Sequence, residues 1–571
     1  MTKIEMPDEV KDIIKEESDN SNKYPEIPLP YVIHKSELHQ QKEEKAKGEV
    51  VGYSYQRISR DIPRIKHRLE DIENGNTYYS LEFEDIKRKS KRTIQVESEV
   101  ISQTREILQL SKKGFSIKQT NAPDIINYLD LYESRNDIKI KKAVSRLGHI
   151  KGEFVHPALN TEYELITNVP EYQRLAEAFK PKGTLKEYSE NVFPQLDNNR
   201  VALFYVYSSL ASMLLEHHNV EPFIVDISDK TSTGKTALLR LAASVYGDYK
   251  KLSATWNTTK VNIERRASFL NSFPLLLDDT QKGMEKIIKD TIYHFSSGEE
   301  KGRGNTKAID EIKRWNNILL STGENSISSY TDNKGGAGAR AVTIEAPPFE
   351  EINFKKLYAG MEDYHGSLAL AFYEQYQADI DYYKKAFRDF ESDFIQKAGD
   401  NEVVKRLGRS FAIIKLAGLV LDNVQGFATD FDGVCEYVYQ DMLENNKAID
   451  KPKQVLDEIL EDMDANRAYL VTEGHDVIRA EILGAIKAEY VGISSKYLTE
   501  KLGHEKAALV KEWYRRGYLS TDADRMQKTV NVNNQKYRMY AINIFIAKEL
   551  GYNFTTGMTD RSGRENSYSF K

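Results

Sequence analysis

Eight consecutive residues, Asp229-Lys230-Thr231-Ser232-Thr233-Gly234-Lys235-Thr236, occupy the frame G-x-x-x-x-G-K-[ST]. Loops of this kind surround phosphate oxygens with backbone N–H groups and the N-terminus of the adjoining helix. The chemistry predicted is binding of a nucleoside triphosphate, expected to be ATP. Ser232, Thr233 and Gly234 would cradle the phosphates. Lys235 would put a point charge on the β and γ oxygens, and the Thr236 hydroxyl would enter the shell of a Mg²⁺ ion. Asp229 departs from the frame, where glycine is usual. An acid there adds negative charge beside phosphate, although Asp tolerates left-handed backbone better than most residues.

Further along, the apolar run Leu275-Leu276-Leu277 ends in Asp278-Asp279. Two acids at the carboxyl end of a buried strand are placed to hold a metal and a water. Asp278 is expected to reach Mg²⁺ and Asp279 to orient the attacking water, although the shorter Asp stands where many such ATPases carry Glu. Ile318-Leu319-Leu320-Ser321-Thr322-Gly323-Glu324-Asn325 is a strand ending in small polar residues. Thr322 or Asn325 is the candidate γ-phosphate sensor, as in an AAA+ ATPase. Arg340 comes after a glycine-rich loop and precedes another strand, which suits an arginine finger reaching a neighbouring subunit's nucleotide. Arg406 and Arg409 lie on an apolar helix over 402–421. One of them, with Arg409 favoured, is a candidate second sensor acting in cis.

These residues need a scaffold. Short apolar strands alternate with helices between 221 and 350: Phe223–Ile227, Phe273–Leu277, Asn317–Ser321 and Ala341–Glu345. That alternation predicts a parallel α/β sheet. The fold class expected is an α/β P-loop AAA+ core with a helical lid, a mixed α+β N-terminal domain and a C-terminal winged-helix domain. The boundaries expected are 1–155 for the N-terminal domain, its first 50 or so residues partly disordered, and 156–350 for a helical collar and the ATPase core. The lid is expected at 351–455 and the winged helix at 456–571. In the N-terminal domain, Thr77–Phe83 predicts a strand, and Val96–Lys112 an amphipathic helix closed by Gly114. Arg200–His217 predicts one apolar helix. The adjacent His217 and His218 point about 100° apart on it and suit a structural role better than shared metal ligation.

In the last domain, Ser494–Leu502 and Glu505–Arg516 read as helices. Lys528–Val532 and Lys536–Tyr540 flank a turn at Asn533-Asn534, giving a hairpin wing. Second helices of such units enter the DNA major groove. Lys506, Lys511, Arg515 and Arg516 on the helix, and Lys528, Lys536 and Arg538 on the wing, are the candidate DNA contacts. Nearer the nucleotide residues, Lys301-Gly302-Arg303-Gly304-Asn305-Thr306-Lys307 suits a hairpin tip touching strand phosphates, through Lys301, Arg303 and Lys307.

Bulk properties narrow the classes. The chain has 571 residues, a net charge of -6 and a mean hydropathy of -0.58. A mildly acidic chain of this size is not a general nucleic-acid glue, so DNA contact must come from local patches. One cysteine, Cys435, excludes an internal disulfide framework and a four-cysteine zinc site. The polar N-terminus has no apolar core of signal-peptide length, and no apolar run approaches membrane-spanning length. A soluble cytoplasmic protein without membrane partners is expected.

The order Gly234-Lys235-Thr236, Leu275-Leu276-Leu277-Asp278-Asp279, Leu320-Ser321-Thr322-Gly323-Glu324 and Arg409-Ser410-Phe411-Ala412 resembles the MCM-like helicases of bacterial mobile elements. The nearest group is the replication initiator helicases of staphylococcal pathogenicity islands and cassette chromosomes. Trp256-Asn257-Thr258-Thr259 and Ser297-Gly298-Glu299-Glu300-Lys301-Gly302-Arg303 fit the same pattern. The resemblance implies a hexameric ring motor that unwinds DNA to replicate its own element. Its partners would be single- and double-stranded DNA, including an origin, and its channel hairpins would precede the first sensor. The alternative is an AAA+ NTPase that regulates transposition or transcription, addressed to DNA by its winged helix.

Overall fold

The apolar runs flanking the glycine–lysine–threonine loop pair as one sheet in the computed structural model. The structure describes residues 24–46, 49–300, 313–330, 340–399, 401–445, 451–472, 482–521, 525–532 and 535–554. Within this sheet the strands are β1 (Phe223–Ser228), β2 (Ala254–Thr255), β3 (Leu275–Asp278), β4 (Ile318–Gly323) and β5 (Ala341–Ile344). All are parallel, in the order β2-β3-β4-β1-β5. Both faces are covered, which is why the strands read as continuous apolar runs. Leu275, Leu276, Leu277, Ile318, Leu319 and Leu320 are at most 2% exposed. Because β1 sits between β4 and β5, a crevice opens at the carboxyl ends of the central strands, where sheets of this type bind ligands.

Helix α1 (Lys235–Ser244) leaves the loop after β1 and packs Leu238, Leu239, Leu241 and Ala242 inward, all 0% exposed. The other helices that bear on the site are α2 (Glu285–His294), α3 (Phe354–Asp363) and α4 (Glu402–Asp422). Asn401 caps α4 by accepting from Val403 N and Val404 N, which satisfies two of the N–H groups a helix start leaves open.

The single helix expected over 200–217 is shorter. It runs Arg200–Ala211 and tightens into 3₁₀ turns at Ser212–Leu214 and Glu216–His218. Ser212 Oγ accepts from Ile318 N at 3.1 Å, tying that point to the start of β4, and Asn219 stops the chain in a left-handed conformation, φ 50. Both histidine rings pack among other rings, His217 4.4 Å from His149 and His218 4.5 Å from Phe387. His218 Nε2 meets Tyr376 OH at 3.1 Å, and burial pushes its pKa down to about 3.

The N-terminal part holds a three-stranded antiparallel sheet (Tyr31–His34, Glu37–Ala46, Glu49–Ser59). It also holds a five-stranded sheet in the order Glu164–Leu165, Ile140–Val144, Ile62–Asp71, Thr77–Asp85, Ser90–Glu97. Thr77–Asp85 extends the expected strand. The helix expected over 96–112 is broken up, because Val96 is claimed by the sheet, paired with Tyr79 and 5% exposed. Beyond that strand the chain forms a short helix Ser98–Ser102, an extended break at Gln103 (φ -122, ψ 126), then Thr104–Ile107 and a 3₁₀ stretch Leu108–Lys113 that ends at Gly114.

The described residues fall into two compact units, 24–330 with 340–442, and 443–554. The second unit thus starts before the expected boundary at 456. It contains α5 (Ser495–Leu502), α6 (Lys506–Arg515) and a sheet of β6 (Leu470–Thr472), β7 (Gly484–Ile486), β8 (Tyr490–Ser494), β9 (Lys528–Val532) and β10 (Gln535–Asn543), in the order β6-β7-β8-β10-β9. Strands β9 and β10 are antiparallel, from Lys528↔Met539 to Val532↔Gln535. The turn residues Asn533 and Asn534 lie outside the described residues. Trp513 of α6 is 0% exposed, and its Nε1 donates to Pro452 O at 2.7 Å.

Candidate active site

Residues from two adjacent strands, the loop after β1 and two helices converge at the crevice. Thr236, in the first turn of α1, donates its hydroxyl to Asp278 Oδ2 at 3.0 Å and sits 3.2 Å from Oδ1. Thr322 of β4 donates to Asp278 Oδ1 at 2.6 Å and accepts from Asp279 N at 3.1 Å. A hydroxyl, a carboxylate and a second hydroxyl therefore form one chain linking α1, β3 and β4. It borders a cavity of about 350 Å³ lined by the loop residues 231–237, Asp278, Asp279, Thr322, Gly323, Glu324, Phe354 and Tyr358.

The loop has the backbone such a cavity needs. Gly234 adopts φ 99, and a Cβ there would lie 2.8 Å from Phe354 Cζ. Only glycine fits both the conformation and the contact. Ser232 and Asp279 are also left-handed, at φ 70 and φ 63. Strain of this kind collects where a site fixes its backbone. Lys235 turns its ammonium into the loop, donating to Asp229 O and Lys230 O, each at 2.6 Å. Thr233 Oγ1 donates to Lys230 O at 3.0 Å.

Asp229, the departure from the usual frame, does not line the cavity. Its N donates to Gly323 O at 3.3 Å, and its Oδ2 is buried without a hydrogen-bond partner. The Asp229 side chain thus stands outside the cavity lining.

Of the residues expected from sequence, Ser232, Thr233, Gly234, Lys235, Thr236, Asp278, Asp279 and Thr322 meet at the cavity. Asn325 does not; it is exposed and outside the lining, so of the two sensor candidates only Thr322 is in place. Arg409 is also elsewhere. It donates to His218 O at 3.2 Å and pairs with Glu391 at 2.9 Å, so it does not reach this chain's own cavity. Its helix α4 runs past the amino ends of the strands at that point, because His218 shortly precedes β1. Arg340 lies at the start of β5, where its carbonyl accepts from Ile224 N at 3.0 Å, and its guanidinium sits 5.9 Å from the Tyr293 ring of α2. It is at the opposite end of the sheet from the cavity.

Five contributors were not picked out from sequence. Phe354 and Tyr358 of α3 wall the cavity, and Arg240 of α1 donates to Tyr358 OH at 3.4 Å. Glu324 reaches the cavity mouth from the end of β4. Asp226 sits beneath the site in the middle of β1 and is 0% exposed. The signal for Asp226 was a lone charge interrupting Ile224-Val225-Asp226-Ile227. The aromatic wall gave none, since it depends on where a distant helix returns.

Asp226 has a measurable consequence. Its Oδ2 accepts from Ile327 N at 2.8 Å, while burial pushes its pKa up to about 7. In the unfolded chain the carboxyl ionises near its ordinary value, about 4. Unfolding therefore releases a proton between about pH 4 and pH 7, so stability falls as pH rises through that window and the loss is complete above about 7. Asp226→Asn keeps an acceptor for Ile327 and removes the titration. The variant is expected to gain in urea midpoint over the wild type as pH rises from about 4.5 to 7, with a constant difference above. Urea curves at a series of pH values read this directly.

In the second unit, Lys511, Arg515, Lys536 and Arg538 are exposed. Arg515 and Arg516 both bond Glu512, at 2.8 and 2.7 Å, and hold its pKa down at about 2. Lys506 is committed within the fold: its Nζ donates to Ser495 O, Ser495 Oγ and Thr499 Oγ1. Lys528 lies 5.0 Å from the Tyr490 ring. Lys301, Arg303 and Lys307 lie outside the described residues. On either side of them the chain pairs with itself, through an antiparallel bridge Glu299↔Arg314 with Glu300 N donating to Lys313 O at 2.9 Å.

No helix among the described residues is long and apolar enough to cross a membrane. A family model described as a domain of unknown function, DUF927, matches residues 33–314, stopping short of β4 and Arg340. No curated protein matches the chain. The fold is similar to that of the solved structure described as "SCCmec type IV Cch - active helicase", at 17% identity and a TM-score of 0.68, covering 92% of this chain and 99% of that one. A second solved structure, described as "The A form apo structure of NrS-1 C terminal region-CTR", covers 83% of this chain and 96% of its own at 9% identity. Its TM-score of 0.30 is too low to inform the fold. The class these observations define is a mixed α/β fold shared with the first of these structures.

Proposed function

We propose that the chain is an ATP-hydrolysing DNA helicase of the AAA+ class, encoded by a mobile genetic element and acting as a hexameric ring at the start of replication. The observation that carries this is the Thr236–Asp278–Thr322 chain at the mouth of the loop 229–236. Two hydroxyls and a carboxylate are hard oxygen donors. Mg²⁺ prefers that chemistry, and it commonly takes one or two protein oxygens and completes its shell with water and phosphate. The residues present fit that ion, with Thr236 and Asp278 as its holders. Bound there, it would neutralise charge that develops on the phosphates.

The protein's own groups supply the rest. The first-turn N–H groups of α1 face the anion. Lys235 exchanges the carbonyls of Asp229 and Lys230 for phosphate oxygens. Thr322 stays on Asp278 and senses the γ position. Phe354 and Tyr358 present an apolar wall suited to the base.

The ring reading rests on where Arg340 lies. It enters β5 level with Ile224, whereas the loop leaves β1 after Ser228. Four residues of strand separate the two ends by about 13 Å. Arg340 can complete a nucleotide site only on another copy, which closed rings provide. DNA contact is assigned to Lys301, Arg303 and Lys307 in the channel and to Lys511, Arg515, Lys536 and Arg538 on a winged helix. Arg516 is a weaker candidate, because it is half-buried against Glu512.

The resemblance in motif order, together with the fold similarity to the helicase structure, supports the DNA-motor reading over a static binding module. The test is phosphate release from ATP with and without single-stranded DNA. Hydrolysis stimulated by DNA and weakened by salt is expected; no phosphate release under either condition would overturn the reading.

A further inference from the structure

Asp279, in the position where a water-orienting acid is expected, borders the cavity but has its carboxylate engaged elsewhere. Its left-handed backbone turns the side chain onto the next turn, where the carboxylate accepts from Gln281 N at 3.3 Å and pairs with Lys282 Nζ at 3.0 Å. It is also one methylene shorter than the Glu usual there. The hydrolytic water therefore needs another carboxylate.

Glu324 is placed for that role. It is the residue immediately beyond β4, two positions after Thr322, and it lines the same cavity. One carboxylate oxygen accepts from Thr231 Oγ1 of the phosphate loop and the other from Gln281 Nε2 beyond β3. The group thus spans the cavity mouth from one wall to the other. Its backbone is fixed by Gly323, where a Cβ would fall 2.1 Å from Thr280 Oγ1. That close approach holds the end of β4 against the turn and aims Glu324 across the opening. Both partners of Glu324, Thr231 and Gln281, are exposed side chains at the rim, where water can exchange with them for its oxygens.

We infer that Glu324, not Asp279, orients and deprotonates the attacking water. This rests on the hydrolytic reading above. In the step, the water oxygen bonds to the γ-phosphorus as the bond from that phosphorus to the β–γ bridging oxygen breaks. The bridging oxygen leaves with the electron pair as ADP. The water proton passes to the Glu324 carboxylate and then to solvent, so that ATP and water give ADP, inorganic phosphate and one proton. Gln281 and Thr231 hold the carboxylate at the cavity mouth. Asp279 keeps a positioning role, since its N–H bonds Thr322 Oγ1 at 3.1 Å.

The experiment compares full-length wild type, Glu324→Gln and Asp279→Asn. It measures ATP hydrolysis, binding of a fluorescent ATP analogue, and binding of ADP with aluminium fluoride, which mimics the transition state. Glu324→Gln is expected to lose about 100-fold or more in turnover. Its ATP-analogue affinity should stay within about twofold of the wild type, and its ADP–aluminium fluoride affinity should fall by at least about tenfold. Asp279→Asn is expected to lose under about tenfold in turnover. Retained turnover in Glu324→Gln with turnover lost in Asp279→Asn would overturn the assignment. So would a parallel loss of ATP-analogue binding and turnover in Glu324→Gln, which would make Glu324 a latch on the loop only. A wild type that neither binds nor hydrolyses ATP would remove the hydrolytic reading itself, and the wild-type lanes report that separately from either variant.

Discussion

Lys235→Ala is expected to cut ATP turnover by at least about 10²–10³-fold, the loss seen when one preorganised charge-stabilising donor is removed, without measurable loss of thermal stability. The ammonium is held by two loop carbonyls and no acid, Asp229 O and Lys230 O at 2.6 Å each. Those carbonyls sit on a loop at the edge of an open cavity. Water can take the place of the ammonium once the side chain is gone, so the folded state loses little. The nucleotide, by contrast, loses its only lysine among the residues lining the cavity. Measured phosphate release and a melting curve on the same preparation separate the two effects. A variant with near-normal turnover would show that the loop does not hold the phosphates.

The second large effect is Arg340→Ala. An arginine supplied in trans to a phosphoryl-transfer site contributes about 10³–10⁵-fold to turnover, so a loss of about 10³-fold is expected. Within its own chain the residue contacts the Tyr293 ring and does not approach the cavity. If the effect is transmitted between subunits, two dead proteins should repair each other. Lys235→Ala subunits keep a sound Arg340, and Arg340→Ala subunits keep a sound Lys235. Mixed, they form some interfaces in which both are intact, and turnover should return in proportion to those interfaces. Failure at every mixing ratio would place Arg340 outside the nucleotide site.

How much of this was readable in sequence depends on whether the determinant was local. The loop, β3 with its terminal acid, and β4 with Thr322 were readable because each is a short run whose chemistry sits at a strand end, and buried parallel strands announce themselves as unbroken apolar runs. Helix α4 was readable as an apolar stretch over 402–421, and the helix expected at Ser494–Leu502 is found at Ser495–Leu502 with Ser494 as its cap. The helix expected over 96–112 was not, because Val96 answers to Tyr79 across the sheet, and local periodicity cannot register a partner strand.

The assignment of Arg409 to the nucleotide failed on the same ground. A helix can show an arginine without showing which end of a sheet it faces, and here the partner is the His218 carbonyl. Asn325 lost to Thr322 because β4 ends at Gly323, and the side chain just beyond the strand that turns into the cavity is Glu324. The aromatic wall of Phe354 and Tyr358 was invisible, since it lies on a helix far along the chain from the loop it covers, and only folding joins them.

A motor differs from a bare nucleotide site in what it does to DNA, which is read by displacement of a labelled strand from a forked DNA duplex by the full-length protein with ATP and Mg²⁺, beside Lys235→Ala. ATP-dependent displacement by the wild type and none by the variant is expected. Hydrolysis stimulated by DNA without any displacement would contradict it and leave a DNA-addressed regulatory NTPase in its place.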